Sequence, residues 1–257
     1  MPITYNLRAM QNRAEANLYT HVHPYSDPTH PMKLSVIGSM ATKGLLAALC
    51  QRAEEALGCT IALTAIGGVD AAKRVAAGEF FDVVCLGSPA MATLSAAGHV
   101  HGEPTPIVVS STMIATPTDA PPIDVHSAAA LRLAVLNAKT IGVSTGPSGV
   151  ALQKLFSEWG IADDIKDRIV IPPPGTPVAR LIASGEVALG FQQQSELMGV
   201  TGVTVIGALP AEVAIDTIFS AAVAQTTGHA EMAQQLIAHW NSAENVSLKQ
   251  AHGMQAV

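Results

Sequence analysis

The sequence predicts an α/β protein built from two similar βαβαβ lobes, each with a parallel-rich sheet, joined by a two-strand hinge. Three observations carry that prediction. A long segment recurs without a gap, a shorter segment upstream of each copy recurs at nearly the same spacing, and two apolar strands lie outside the repeats, where the chain must cross between lobes.

The gapless repeat pairs GVDAAKRVAAGEFFDVVCLGS, residues 68–88, with GTPVARLIASGEVALGFQQQS, residues 175–195. Gly68/Gly175, Gly78/Gly185, Glu79/Glu186 and Ser88/Ser195 all keep one offset of 107 residues, the mark of a duplicated supersecondary unit. Upstream, LSVIGSMATKGLLAAL from Leu34 and KTIGVSTGPSGVALQKL from Lys139 each read as an apolar strand, a serine, four residues, a glycine and a helix. Ser39 thereby pairs with Ser144, and Gly44 with Gly149. Each half is strand, small-residue turn, helix, strand, glycine-led helix and strand, the pattern of a parallel sheet covered by helices.

The first helix is expected over about 44–57, with Leu45, Leu46, Leu49, Ala53 and Leu57 on one face, Arg52, Glu54 and Glu55 on another, and Gly58 as its stop. Its counterpart covers about 148–159, with Pro147 suited to the first turn and Gly160 to the C-terminal cap. Gly78 and Gly185 end the second helix of each half in the same way. PTPIVVSSTMIATPTDAPPID then reads as an apolar strand and a Pro/Thr run crossing from one lobe to the other. VTVIGALPAEVAIDTIFSAAVA and an amphipathic helix over about 230–242 return to complete the first lobe, with the second crossing near residues 207–217. The expected division is an N-terminal arm, 1–32, disordered or extended; a first lobe from 33–116 plus 215–257; and a second lobe from 117–214.

A chain of 257 residues with 49% apolar, 13% charged and 4% aromatic residues has a globular composition, its core built from Ala, Val, Leu and Ile. The net charge of -6, with no Lys/Arg run and few aromatics to stack on bases, argues against a nucleic-acid partner. Pro, Ser and Thr interrupt the longest uncharged stretches, so no membrane insertion is expected. Cys50, Cys59 and Cys85 lack metal-ligand spacing and are expected as buried reduced thiols, while His21, His23 and His30 carry no spacing that orients them on a metal. The opening MPITYNLRAMQNRAEANLYT is polar. The expected location is cytoplasmic for the sequence as written, or periplasmic if the true start lies upstream and carries a signal.

The strand-to-Ser39 turn, AAGEFFDVV leading to Gly87-Ser88, IGVSTGPSG and ASGEVALGF together resemble the molybdate-binding proteins of ABC transporters, members of the type II periplasmic-binding-protein fold. The resemblance covers about 33–245 and implies an anion held between two lobes and, for a transporter component, an ABC permease as partner. Gln192-Gln193-Gln194 stands where that family usually places an aromatic residue. GPSG, GFQQQSEL and VIGALPAEV are more similar to a branch of the fold that includes aconitate isomerase, which implies a cis-trans isomerisation by allylic proton shift without a cofactor.

In a parallel sheet the strand C-termini and the helix N-termini that follow face one crevice, where free N–H groups favour anions. Ser39, Ser88, Ser144 and Ser148 fall at such places, with the N–H groups near Gly44 and Gly149, and Thr176 beside Gly175 belongs with them as candidate ligand contacts. The competing role for each serine is that of a helix cap. Gln193 and Gln194 alternate along the strand end, so that one of them should face the crevice. Lys43, a cation in a first helical turn, is the candidate acid-base group, because the dipole end weakens its hold on a proton. Gly142-Val143-Ser144-Thr145-Gly146 also matches the G-x-S-x-G nucleophile elbow, which would make Ser144 the nucleophile of a hydrolase with His229, His239 or His252 as partner.

Overall fold

The computed structural model describes residues 31–173 and 175–257; the histidine-bearing N-terminal arm lies outside the described residues. The first half runs β1 (Lys33–Ser39), α1 (Lys43–Leu57), β2 (Thr60–Ile66), α2 (Gly68–Ala76), β3 (Val83–Gly87) and α3 (Ser88–Ala96). The long β4 (Val100–Pro117) leads to α4 (Ala128–Asn137), β5 (Ile141–Val143), α5 (Pro147–Glu158), α6 (Ala162–Ile165), β6 (Ile169–Val170), α7 (Val178–Ala183), β7 (Leu189–Gln193), α8 (Gln194–Leu197) and β8 (Val203–Ala208). β9 (Asp216–Ala224), α9 (Ala230–Trp240), α10 (Val246–Ala251) and β10 (Gln255–Ala256) close the chain.

One half of the sheet has the order β2-β1-β3-β9-β4 and the other β6-β5-β7-β4, with β8 paired to the end of β4. Within each half the three strands of the repeat are parallel and the crossing strands antiparallel to them. β4 pairs with β9 as far as Ser111↔Asp216, and from Thr112↔Gln193 onward it pairs with β7. The change of partner at Ser111/Thr112 is the first crossing. The return between β8 and β9 lies beside it, with Leu209 N–H donating to Thr112 O at 3.4 Å and Thr112 N–H to Ile215 O at 2.9 Å.

α1 buries Leu45, Leu46, Leu49, Cys50 and Ala53, and Gly58 ends it in the left-handed conformation with φ 64°. Leu57, expected on the buried face, is half-buried at the helix end, and Cys50 packs in the core instead. Each such leucine withdraws about 1.5–3 kcal/mol worth of apolar surface from water, and this fixes where the preceding turn sits. Two clusters, around Ile37, Val84 and Leu86 in one half and around Val143, Leu152 and Phe191 in the other, form the cores that hold the strand ends rigid. α4, α10 and β10 have no counterpart in the expected elements: the helical stretch after the Pro/Thr run and the C-terminal tail carry no repeat signal. Among the described residues no helix is long and apolar enough to cross a membrane.

Candidate functional site

The ends of β1 and β5 open into the same cavity, of about 260 Å³. Ser39, Met40 and Ala41 line it from one half, and Ser144, Thr145, Gly146, Pro147 and Ser148 from the other. The starts of the second repeated helices meet them there, Gly67, Gly68 and Val69 facing Gly175, Thr176 and Pro177. The first N–H groups of a helix have no intrahelical acceptor, so these turns offer backbone donors to an anion. Gly68 leaves room for the approach, since a side chain there would begin 3.7 Å from Ser39 Oγ.

Local geometry shows that Ser39, Ser88 and Ser144 are not spent as side-chain caps. Ser39 makes no capping bond to the 3-10 turn Met40–Thr42, because Thr42 Oγ1 closes that turn by donating to Ser39 O at 3.0 Å. The caps of α3 and α5 are the backbones of Gly87 and Gly146, so Ser88 and Ser144 are not caps either. Ser144 Oγ lies 3.2 Å from Ser148 Oγ, giving a linked pair of hydroxyls at the mouth of α5.

The end of β7 supplies the remaining polar groups. Gln192 is buried, and its Oε1 accepts from Ala179 N–H at 2.8 Å, which anchors α7 to the strand. Gln193 donates through Nε2 to Thr217 Oγ1 at 2.8 Å, and its buried Oε1 has no partner among the described residues. A threonine hydroxyl bonds to either end of an amide, so Gln193 can offer a ligand an acceptor or, flipped, a donor. One residue past the repeat, Glu196 faces the cavity, and burial pushes its carboxyl up to about 7 against the opposing effect of a hydrogen bond with Gln192. A carboxyl poised there is present in both protonation states at neutral pH, as an acid-base group requires. Lys73, paired with Asp70 at 3.7 Å, and Phe219 also line the cavity.

Of the residues expected at the site, Ser39, Ser144, Ser148, Thr176 and Gln193 are brought together, and five are placed elsewhere. Lys43 and Gly44 are exposed, because the 3-10 turn carries the chain past the cavity before α1 begins; they line a separate depression. Ser88 turns back to the sheet, donating to Ile218 O at 3.1 Å and lying 3.1 Å from Ser220 Oγ. Gly149 packs under the serine turn, where a Cβ would stand 1.8 Å from Ser144 O. Gln194 packs toward Gly253. Sequence reasoning missed Gly67, Lys73, Gln192 and Glu196, although Glu196 sits in the GFQQQSEL stretch that carried a resemblance.

The hydrolase reading finds no support in this geometry. Ser144 bonds to Ser148 rather than to an imidazole, and among the described residues no histidine lines the cavity and no non-glycine residue has the positive φ of a strained turn. Burial pushes the Cys50 and Cys85 thiols up to about 12, so neither supplies a thiolate.

Comparison with known proteins agrees with this architecture. The chain is 28% identical over 233 residues to aconitate isomerase from a Pseudomonas species, covering 87% of this chain and 88% of that one. It superposes on the periplasmic molybdate-binding protein of Azotobacter vinelandii with a TM-score of 0.72 at 17% identity, covering 87% of this chain and 99% of that one. On the tungstate ABC transporter protein of Geobacter sulfurreducens it scores 0.68 at 16% identity, covering 85% and 98%. At those identities the two structural likenesses are of fold. The family described as bacterial extracellular solute-binding protein matches residues 34–255, nearly all of the chain outside the N-terminal arm, and with two parallel-stranded halves meeting at one donor-lined cavity, the chain belongs to that family.

Proposed function

We propose that the cavity binds a small unsaturated polycarboxylate and interconverts its cis and trans forms by an allylic proton shift, with Glu196 as the acid-base group. The observation that carries this reading is a carboxyl held near neutrality in a cavity otherwise rich in neutral hydrogen-bond donors. Its ionised form repels an anion, whereas a proton-transfer role makes use of both its forms.

In the proposed reaction the Glu196 carboxylate takes a proton from the CH₂ beside a substrate carboxylate. The electron pair left on carbon spreads into the conjugated system, and the protonated Glu196 returns a proton to the far carbon, which re-forms the double bond in its new position. Ser39, Ser144 and the adjoining backbone N–H groups would stabilise the charge that spreads toward the carboxylate oxygens. A positioned acid-base group contributes about 10²–10⁴-fold. The similarity to aconitate isomerase across most of both chains supports the choice of substrate class. Incubation with trans-aconitate and related unsaturated acids, followed by chromatography, tests the reading: a geometric isomer should accumulate to equilibrium, and the absence of one from every acid tried overturns it.

A second reading, an oxyanion-binding component serving an ABC permease, is favoured by the paired serine hydroxyls alone. Calorimetry with molybdate and tungstate separates the two: tight oxyanion binding without turnover of any acid selects the receptor.

A further inference from the structure

Next to the ligand cavity lies a second depression of about 400 Å³, open to solvent. Four residues line both spaces, Met40, Ala41, Pro177 and Glu196, and among them only Glu196 titrates. Glu196 thus borders the ligand cavity and this second, solvent-open space at once. We propose that this depression, with His252 at its edge, is the outlet through which Glu196 exchanges its proton with solvent while ligand fills the main cavity. The inference rests on the isomerase reading.

The helix α8 that carries Glu196 is held in place from both sides. Ser195 Oγ donates to Ala41 O at 2.7 Å, fixing α8 against the turn after β1. The C-terminal turn presses on α8 as well, for a Cβ on Gly253 would stand 2.7 Å from Met198 Sδ. His252 is also fixed: its Nδ1 lies 2.9 Å from Leu248 O, so in the neutral ring Nδ1 carries the hydrogen and Nε2 keeps its lone pair. The titratable groups lining the two spaces beside Glu196 are Lys43 and His252 in the depression and Asp70 and Lys73 in the ligand cavity. A space of this size has room for several waters, and Lys43, Ser195 and His252 line it with polar groups.

When the substrate C–H bond breaks, its electron pair enters the conjugated system and the hydrogen rests on a Glu196 oxygen. From there it is delivered to the far carbon, or it leaves through water and His252 Nε2 to solvent while a solvent proton enters by the reverse path. The product then carries either the original hydrogen or one from solvent.

The test is isomerisation of trans-aconitate in D₂O, with the deuterated fraction of the first product formed read by mass spectrometry. That fraction is a ratio within the product and does not depend on rate. The wild type should give mostly deuterated product. His252→Leu removes the basic nitrogen, and Gly44→Leu fills the depression from an exposed helical position 3.4 Å from the His252 ring, so both should lower the deuterated fraction several-fold. Isomerisation with the same fraction in all three proteins, or with no deuterium in wild-type product, overturns the outlet and leaves the isomerase reading standing. Failure of the wild type to form any product overturns both.

Discussion

At the end of β3 the chain reads Cys85-Leu86-Gly87-Ser88-Pro89, and at the equivalent place after β7 it reads Gln192-Gln193-Gln194-Ser195-Glu196. The shared serine performs the same kind of work in both halves, bonding to backbone outside its own repeat: Ser88 to Ile218 O, Ser195 to Ala41 O. The residues that differ separate in role. Cys85 and Leu86 are fully buried in the first core, whereas Gln192, Gln193 and Glu196 face the cavity. Where the repeat agrees it preserves the scaffold and the small-residue turns at the cavity, and where it disagrees it places a titratable carboxyl on one half.

The sharpest way to break that comparison is to exchange the departures. Glu196→Gln should lower turnover of the isomerised acid by about 10²-fold or more while leaving ligand affinity intact or improved, because the variant keeps the shape and loses the charge that repels an anion. Pro89→Ala, at the equivalent position of the silent half, should leave turnover unchanged. Steady-state rates and calorimetry on both variants decide it, and equal effects would show that the asymmetry carries no function.

The agreements are expected to count in binding. Ser39→Ala and Ser144→Ala should each weaken ligand affinity by about 1.5–3 kcal/mol, roughly tenfold to a hundredfold, by removing a charge-assisted hydrogen bond. Ser95→Ala, in α3 outside the cavity, should leave affinity unchanged. Calorimetry of the three variants gives the ranking.

A third expectation concerns pH. The unfolded chain releases the Glu196 proton near 4.5 and the folded protein holds it up to about 7, so between those values the folded state binds more protons. This group therefore lowers stability as pH rises through that window. Glu196→Gln should be more stable than wild type at pH 8 by about 3 kcal/mol, and the gain should vanish below pH 4.5. Urea unfolding at the two pH values measures it.

The last and smallest contrast is between the paired glycines. Gly149 has no room, so Gly149→Ala should cost about 1–3 kcal/mol as the serine turn shifts. At Gly44 a Cβ would make only an ordinary contact, 3.4 Å from His252 Cδ2, so Gly44→Ala should add a few tenths to about 1 kcal/mol by raising helix propensity. Thermal melting of the two variants distinguishes them.

The fold class, the repeat, the helix stops at Gly58, Gly78, Gly160 and Gly185 and the identity of the serine turns are legible in the amino-acid order, because each depends on residues close along the chain. All four of those stops adopt positive φ, with values of 64°, 79°, 65° and 80°. Ser39, Ser144, Ser148, Thr176 and Gln193 were legible as cavity residues for the same reason: a strand end or a helix start fixes the direction of its own side chain. Which polar residues act could not be read that way. Lys43 and Glu196 are both titratable groups in a first helical turn, and nothing local distinguishes them. Packing of the 3-10 turn after β1 sends Lys43 outward, while docking of α8 between the two halves carries Glu196 inward and strips it of enough water to raise its pKa. Burial is a property of every neighbour at once, contributed by segments more than 150 residues apart, and only the tertiary structure brings those neighbours together.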